Sequence, residues 1–377
     1  MEFSGFIFSA EDSFSVQQRY QFITRAAQYF DQHGYQALWT PERHFQEFGG
    51  SFPNPSVLSA ALSQATSRLH LRAGCVVLPH HHPVRVAEEW AMIDQLSNGR
   101  AGLGIASGWH KRDFVFFPEN YQDRKAVTYK GIDDLRKLWA GESLEFKGVD
   151  GELTQVSVHP KPVQKELPMW LVSSSSPEVW KDAGRRGLNI LSLLNNWEAL
   201  ESNIVAYRQA REEAGLDPAL GVVTTAVHTF VGDSNAEVKA LVETPMKQYL
   251  SEFVKATNDD KSISGAKERV VSKDEKAILL QAVFDDMFEK RAMFGTVEKC
   301  IAFAEKLKKV GTDEVACFVD FGLEFETVLA ALPKLDEVKA AFQQVSKADT
   351  APKVEQVARH SAKHPLSWYY ERNTLNA

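Results

Sequence analysis

Short apolar runs of strand length alternate with helix-length amphipathic segments along most of this chain, and that alternation leaves few folds open. The first run, residues 3–8, precedes Val16, Tyr20, Ile23, Ala26, Ala27 and Phe30, which recur at helical spacing up to Gly34. Further runs follow at 35–39 (YQALW), 69–79 (LHLRAGCVVLP), 101–107 (AGLGIAS), 168–174 (PMWLVSS), 188–194, 221–232 and 314–319. Helix signals fill the gaps. Asn54 or Ser56, with Pro55 in the first turn, starts one helix; Pro83 opens another that Asn98-Gly99 ends; Thr296 caps a third. Helices are also expected over 122–139, 177–186 and 197–214, and from Asn235 onward. Strands covered on both faces and joined by helices build a parallel sheet. Eight such units predict an α/β fold, a (β/α)8 TIM barrel, whereas a doubly wound sheet usually has fewer.

Two stretches break the rhythm. Residues 141–168 hold glycines, prolines and LTQVSVHP, which suggest a small hairpin. Residues 255–290 are polar, then amphipathic, without strand character, and are expected to form a mobile lid or a disordered loop. The expected layout is a barrel domain over 1–340 carrying this lid insertion. Residues 341–377 form a C-terminal tail whose HPLSWYYERN stretch docks on the barrel or on a partner.

Composition excludes several classes. A net charge of −7 over 377 residues, with no basic block, argues against a nucleic-acid partner. No apolar run approaches the length of a membrane span, and the start MEFSGFIFSAED lacks a signal-peptide layout, so the expected location is the cytoplasm. Cys75, Cys300 and Cys317 form no C-x-x-C pair, which fits a reducing compartment.

In a barrel the chemistry gathers at the carboxyl ends of the strands. That topology brings together Ser9–Asp12, Glu42–His44, Pro79–His82, Ser107–His110, Ser173–Ser176, Asn195-Asn196 and His228. Three separate strand ends thus carry His44, His82 and His110, which leaves a shared site and ordinary packing histidines both open. HHHPVR at 80–85 invites a metal, but Pro83 redirects the chain and no carboxylate pattern backs it; no metal is assigned. SSSSPE at 173–178 offers hydroxyls and backbone N–H groups at a helix start, suited to a phosphate or simply to capping. Small Gly74 and Cys75 would let a flat ring approach the backbone, or serve tight packing.

The stretches WTPERHFQEFG (39–49), VVLPHHHPVRVAEEWAMIDQLSNGR (76–100), GIASGWHKRDF (104–114) and FGTVEKC (294–300) resemble the bacterial luciferase-like flavin-dependent monooxygenases, nearest their natural-product biosynthesis branch. The similarity spans about residues 1–335. It implies reduced FMN (FMNH2) as cofactor and O2 as co-substrate. The FMN phosphate would lie near Ser107, Ser173, Ser174, Ser175 and Ser176, and the ring against a Gly74–Cys75 peptide that the family often holds in cis. His44 would manage a proton, with His110 as alternate; Arg43 would stabilise an oxyanion or a substrate carboxyl or thioester oxygen. Glu42 would orient them or pair with Arg43, and Glu42, His82 and Trp109 would face the substrate.

No G-x-G-x-x-G follows a strand, so a separate flavin reductase is expected. The substrate would be a small molecule or a carrier-protein-bound unit, and the assembly a homodimer. Two departures matter. Arg43 stands where light-emitting luciferases have the first of two histidines, and Ala106 where they have a reactive cysteine, so aldehyde-oxidising light emission is not expected. The alternatives are a deazaflavin-dependent hydride-transfer enzyme on the same barrel and a non-catalytic flavin-binding subunit. The charged residues at 42–44 and 107–113 argue against the second.

Overall fold

The computed structural model describes residues 1–8, 14–263 and 273–348. In chain order the first strands and helices are β1 (Glu2–Ile7), α1 (Val16–Gln32), β2 (Ala37–Thr40), α2 (Pro55–Ala65), β3 (His70–Val77), α3 (Pro83–Ser97), β4 (Ala101–Ala106) and α4 (Arg124–Trp139). A hairpin of β5 (Leu144–Lys147) and β6 (Leu153–Val156) follows. Then come β7 (Met169–Val172), α5 (Pro177–Arg185), β8 (Asn189–Leu193), α6 (Trp197–Glu213) and β9 (Val223–Val231). The chain continues with α7 (Asn235–Ile263), α8 (Lys273–Asp286), β10 (Met293–Gly295), α9 (Val297–Lys309), β11 (Glu314–Asp320) and α10 (Phe325–Ala348).

Eight strands pair in parallel in the ring β1-β2-β3-β4-β7-β8-β9-β11. Because β9 bonds both β8 and β11, and β11 returns to β1 with Cys317 opposite Gly5, the sheet closes on itself. This is the expected (β/α)8 TIM barrel. The separate β5–β6 hairpin occupies the stretch where the alternation lapsed. The short β10, not read from the sequence, pairs in parallel beside the end of β9, with Gly295 opposite Val231.

Local signals set the helix ends. Asn54 Oδ1 accepts from the Ser56 and Val57 N–H groups at 2.8 and 3.1 Å, with Pro55 in the first turn. Asn98 closes α3 at φ 55°, the left-handed conformation asparagine tolerates. Between barrel and helices, Trp90, Trp180, Phe22 and Phe30 are fully buried.

Inside the barrel the floor is polar. Arg72 Nη1 meets Glu314 Oε2 at 2.7 Å, and the guanidinium lies 5.0 and 4.3 Å from the Trp39 and Trp170 rings. Ser4 Oγ and Trp39 Nε1 donate to Glu314 Oε1 at 2.6 and 3.2 Å. A buried ion pair so fully bonded is costly to break from one side.

Of the two readings of 255–290, a lid or a disordered loop, the disordered loop needs correction over the described residues. Helix α7 runs to Ile263, α8 begins at Lys273, and a single π turn spans Met287–Arg291. Phe284, Met287 and Phe288 are buried, so apolar contacts on the barrel anchor the end of this segment despite its polar composition. Helix α10 likewise carries the expected tail's first residues on to Ala348. Residues 264–272, Ser9–Asp12 and HPLSWYYERN lie outside the described residues. Among the described residues no helix is long and apolar enough to cross a membrane.

Candidate active site

The opening of the barrel at the strand carboxyl ends gathers most of the expected residues. Directly after β2 the chain passes Pro41 and turns. The Arg43 N–H donates to Phe52 O at 2.8 Å, fixing the loop, and Phe45 takes the left-handed region at φ 57°. Glu42 is thereby buried beneath two histidines. Its Oε1 accepts from His44 Nε2 and His81 Nε2, each at 2.8 Å, and its Oε2 from the Val77 N–H at 2.9 Å. Burial opposes ionisation of Glu42, yet the bonds from His44, His81 and Val77 overcome it and hold its carboxyl at about 2. On His81, burial is likewise outweighed by the Glu42 carboxylate, which raises the imidazole above its ordinary value. With Nε2–H held by Glu42, His44 presents Nδ1 as the nitrogen able to take or give a proton.

Arg43 points to another set of partners. Its Nη1 donates to His110 Nε2 at 3.2 Å and its Nη2 to Gln46 Oε1 at 2.8 Å, with the guanidinium 5.4 and 5.8 Å from the Phe8 and Phe48 rings. Glu42 therefore orients His44 and does not pair with Arg43. A guanidinium only donates, so His110 accepts at Nε2 and carries its proton at Nδ1, a buried atom with no hydrogen-bond partner among the described residues. Burial, reinforced by Arg43 and Arg112, pushes His110 down to about 3, so it is a neutral imidazole.

His80 is buried with neither ring nitrogen hydrogen-bonded among the described residues, its Nδ1 3.9 Å from Glu42 Oε1, and burial lowers it to about 4. One nitrogen each from His44 and His80 and a carboxylate oxygen of Glu42 all lie within 4.8 Å of one another, near enough to share a divalent cation. The sequence, from which no metal was assigned, did not reveal this trio. His82 stands apart: its Nδ1 accepts from the Val84 N–H at 3.3 Å, capping α3, and its ring lies 5.0 Å from Phe146 of the hairpin. The triple histidine thus divides its work, and His80 and His81, not His82, join the cluster. The 3-10 turn over Leu78–His80 decides this, and no spacing rule announces it. Trp109 is exposed with its ring against His110. Phe116 lies 4.9 Å from His44, and Phe114 4.5 Å from His80.

The third feature is backbone. The Gly74–Cys75 peptide is cis, where the β3–β4 register shifts between Ala73 and Val76. Burial, with Glu42 nearby, pushes the Cys75 thiol up to about 12, so it stays neutral. Across the opening, Tyr249 of α7 contacts Phe8, Phe48 and His228. Burial lowers His228 to about 3.

Ser107 and the 173–176 serines end adjacent strands, since β4 pairs with β7. Ser173 Oγ accepts from the Ser176 N–H and Ser174 Oγ from the Leu193 N–H, both at 3.4 Å; Ser175 is exposed; Ser176 caps α5 without a side-chain hydrogen bond. Gly108, at φ 74°, turns the chain after Ser107 where a Cβ would come within 2.8 Å of Val77 Cγ1.

A sequence profile of the family described as luciferase-like monooxygenase matches residues 1–314. The oxygenase component of the flavin-dependent trigonelline monooxygenase of Acinetobacter baylyi is 26% identical over 355 residues, covering 93% of this chain and 97% of that protein. The FMNH(2)-dependent dimethylsulfone monooxygenase of Pseudomonas fluorescens is 26% identical over 344 residues, 87% of this chain and 90% of that one. In structure, the monooxygenase RslO1 of Streptomyces bottropensis aligns with a TM-score of 0.74 at 21% identity, over 91% of this chain and 100% of that one.

Proposed function

The chain belongs to the luciferase-like monooxygenase family, and from that premise we propose that it is the oxygenase of a two-component flavin system. Reduced FMN delivered by a separate reductase, with O2 as co-substrate, oxidises a small-molecule or carrier-protein-tethered substrate in natural-product biosynthesis. The observation that carries this reading is the meeting of the Glu42–His44 pair and the Arg43–His110 pair beside the cis Gly74–Cys75 peptide. The names of the Acinetobacter and Pseudomonas relatives supply the cofactor and the division of labour.

The residues fit FMN. The hydroxyls of Ser107 and Ser173–Ser176 border an α5 start whose cap side chain is unengaged, a place for a phosphate. When bound, FMN supplies the activation of O2 that no side chain here can perform. The protein does the rest. Glu42 holds Nε2–H of His44, so His44 Nδ1 takes or gives the proton that the oxidation requires. Arg43, one N–H of which His110 fixes, would meet negative charge that develops in the site. Tyr249, Phe8, Phe48 and Phe116 exclude water, with α7 and α8 as the lid that orders over the site. Hydrogen exchange in α7 should slow when flavin and substrate bind; unchanged exchange would remove the lid.

Exposed Val57, Met92 and Leu96 on neighbouring helices α2 and α3 support a homodimer, and three unpaired cysteines support the cytoplasm. The test of the function is spectroscopic. The purified protein should bind reduced FMN more tightly than oxidised FMN and fail to oxidise NAD(P)H alone. Binding of a deazaflavin in place of FMN, or rapid flavin reduction by NADPH without added reductase, would select another reading.

A further inference from the structure

Among the described residues, Arg43 is a cation with no carboxylate at ion-pair distance. Of the five N–H groups of its guanidinium, two are used, and both go to neutral acceptors, His110 Nε2 and Gln46 Oε1. No carboxylate lies within ion-pair distance of it among the described residues. Glu42, its neighbour in the chain, is already bonded to His44, His81 and the Val77 N–H. Asp113 acts on it only at longer range.

Among the described residues, Asp113 at longer range is what offsets that charge. His80 and His110 are neutral, as are the Cys75 thiol and the Tyr249 phenol. A guanidinium held among phenyl rings and neutral imidazoles, with three N–H groups still to place, calls for an anion with paired oxygens. Flat apolar rings, Phe8 and Phe48, lie beside Arg43 itself, and Phe116 and Phe114 lie beside His44 and His80 of the same cluster.

We propose that the substrate carries a carboxylate, received by Arg43, on a planar apolar body that these rings face. The assignment rests on the monooxygenase reading, and it names the substrate class of that same site. Flavin itself is the rival source of negative charge, so the experiment separates the two. Matched aromatic acids and primary amides (benzoate and benzamide, 2-naphthoate and 2-naphthamide) are titrated into the protein with and without FMN by calorimetry. Each acid should bind at least about tenfold tighter than its amide, the difference a charged hydrogen-bonded pair provides. Arg43→Gln should erase that preference both with and without FMN present, while its far-ultraviolet circular dichroism matches that of the parent protein. Should the glutamine variant not fold, Arg43→Lys keeps the charge but not the fork, and part of the preference should survive. Equal binding of acids and amides, a preference that persists in Arg43→Gln, or loss of FMN binding with acid binding intact would overturn the assignment. Failure of FMN to bind the parent protein would instead strike the monooxygenase reading, because the acid–amide comparison is made without flavin as well.

Discussion

Replacing Glu42 by glutamine removes the buried charge on which His44 and His81 both depend, and the structure fixes how stability should then respond to pH. The Glu42 carboxyl falls from an ordinary 4.5 to about 2 in the folded protein. A depressed carboxyl contributes stability above its unfolded value and loses it as pH falls through the folded value. The shift corresponds to about 3 kcal/mol in full, of which about 1 kcal/mol should disappear between roughly pH 5 and pH 3.5. His81 runs the other way. Its raised imidazole contributes stability fully below its unfolded value of 6.5, and that contribution fades as pH rises through the folded one. The pair is therefore strongest between about 4.5 and 6.5. Urea unfolding midpoints, taken every half unit from pH 3.5 to 8, would show an acid limb in the parent protein that is shallower by about 1 kcal/mol in Glu42→Gln. Near neutral pH the variant should be about 1.5–3 kcal/mol less stable, since hydrogen bonds to a charged group are lost. A variant with the same acid limb as the parent would refute the claim that Glu42 is ionised and held by the two histidines.

Other perturbations separate the remaining parts. His44→Ala should keep flavin affinity but lower product formation by about 10²–10⁴-fold, the range of a positioned acid–base group, as read by single-turnover product analysis. Ser174→Asp should weaken FMN while sparing riboflavin, because the added charge meets only the phosphate; equal losses in fluorescence titrations would move the phosphate elsewhere. Arg72→Met leaves Glu314 buried with Ser4 and Trp39 as its short-range donors and should cost about 3–5 kcal/mol by urea unfolding. Pairing it with Glu314→Leu should restore much of that loss.

The barrel was legible in the sequence because its evidence is local. Each apolar run, Asn54 cap or Asn98-Gly99 stop is decided within a few residues, and eight of the strands so marked close the ring. The 255–290 segment escaped because its helices carry Ile278 and Leu279 outward and bury Phe284, Met287 and Phe288, so no clean helical stripe is present. In the site, sequence determined that Glu42, Arg43, His44 and His110 arrive at one face, since strand ends of a barrel converge. Only the tertiary structure decided their partners. Three consecutive histidines are equivalent in sequence, but one 3-10 turn sends His80 into the cluster, His81 onto Glu42 and His82 to cap α3. Arg43 and Glu42 are neighbours of opposite charge, yet backbone direction separates them: one carboxylate is consumed by histidines, and the guanidinium is left among rings. Side-chain direction at a turn depends on φ and ψ set by distant packing, and charge compensation depends on which strands meet. Neither quantity is written in the spacing of residues along one chain.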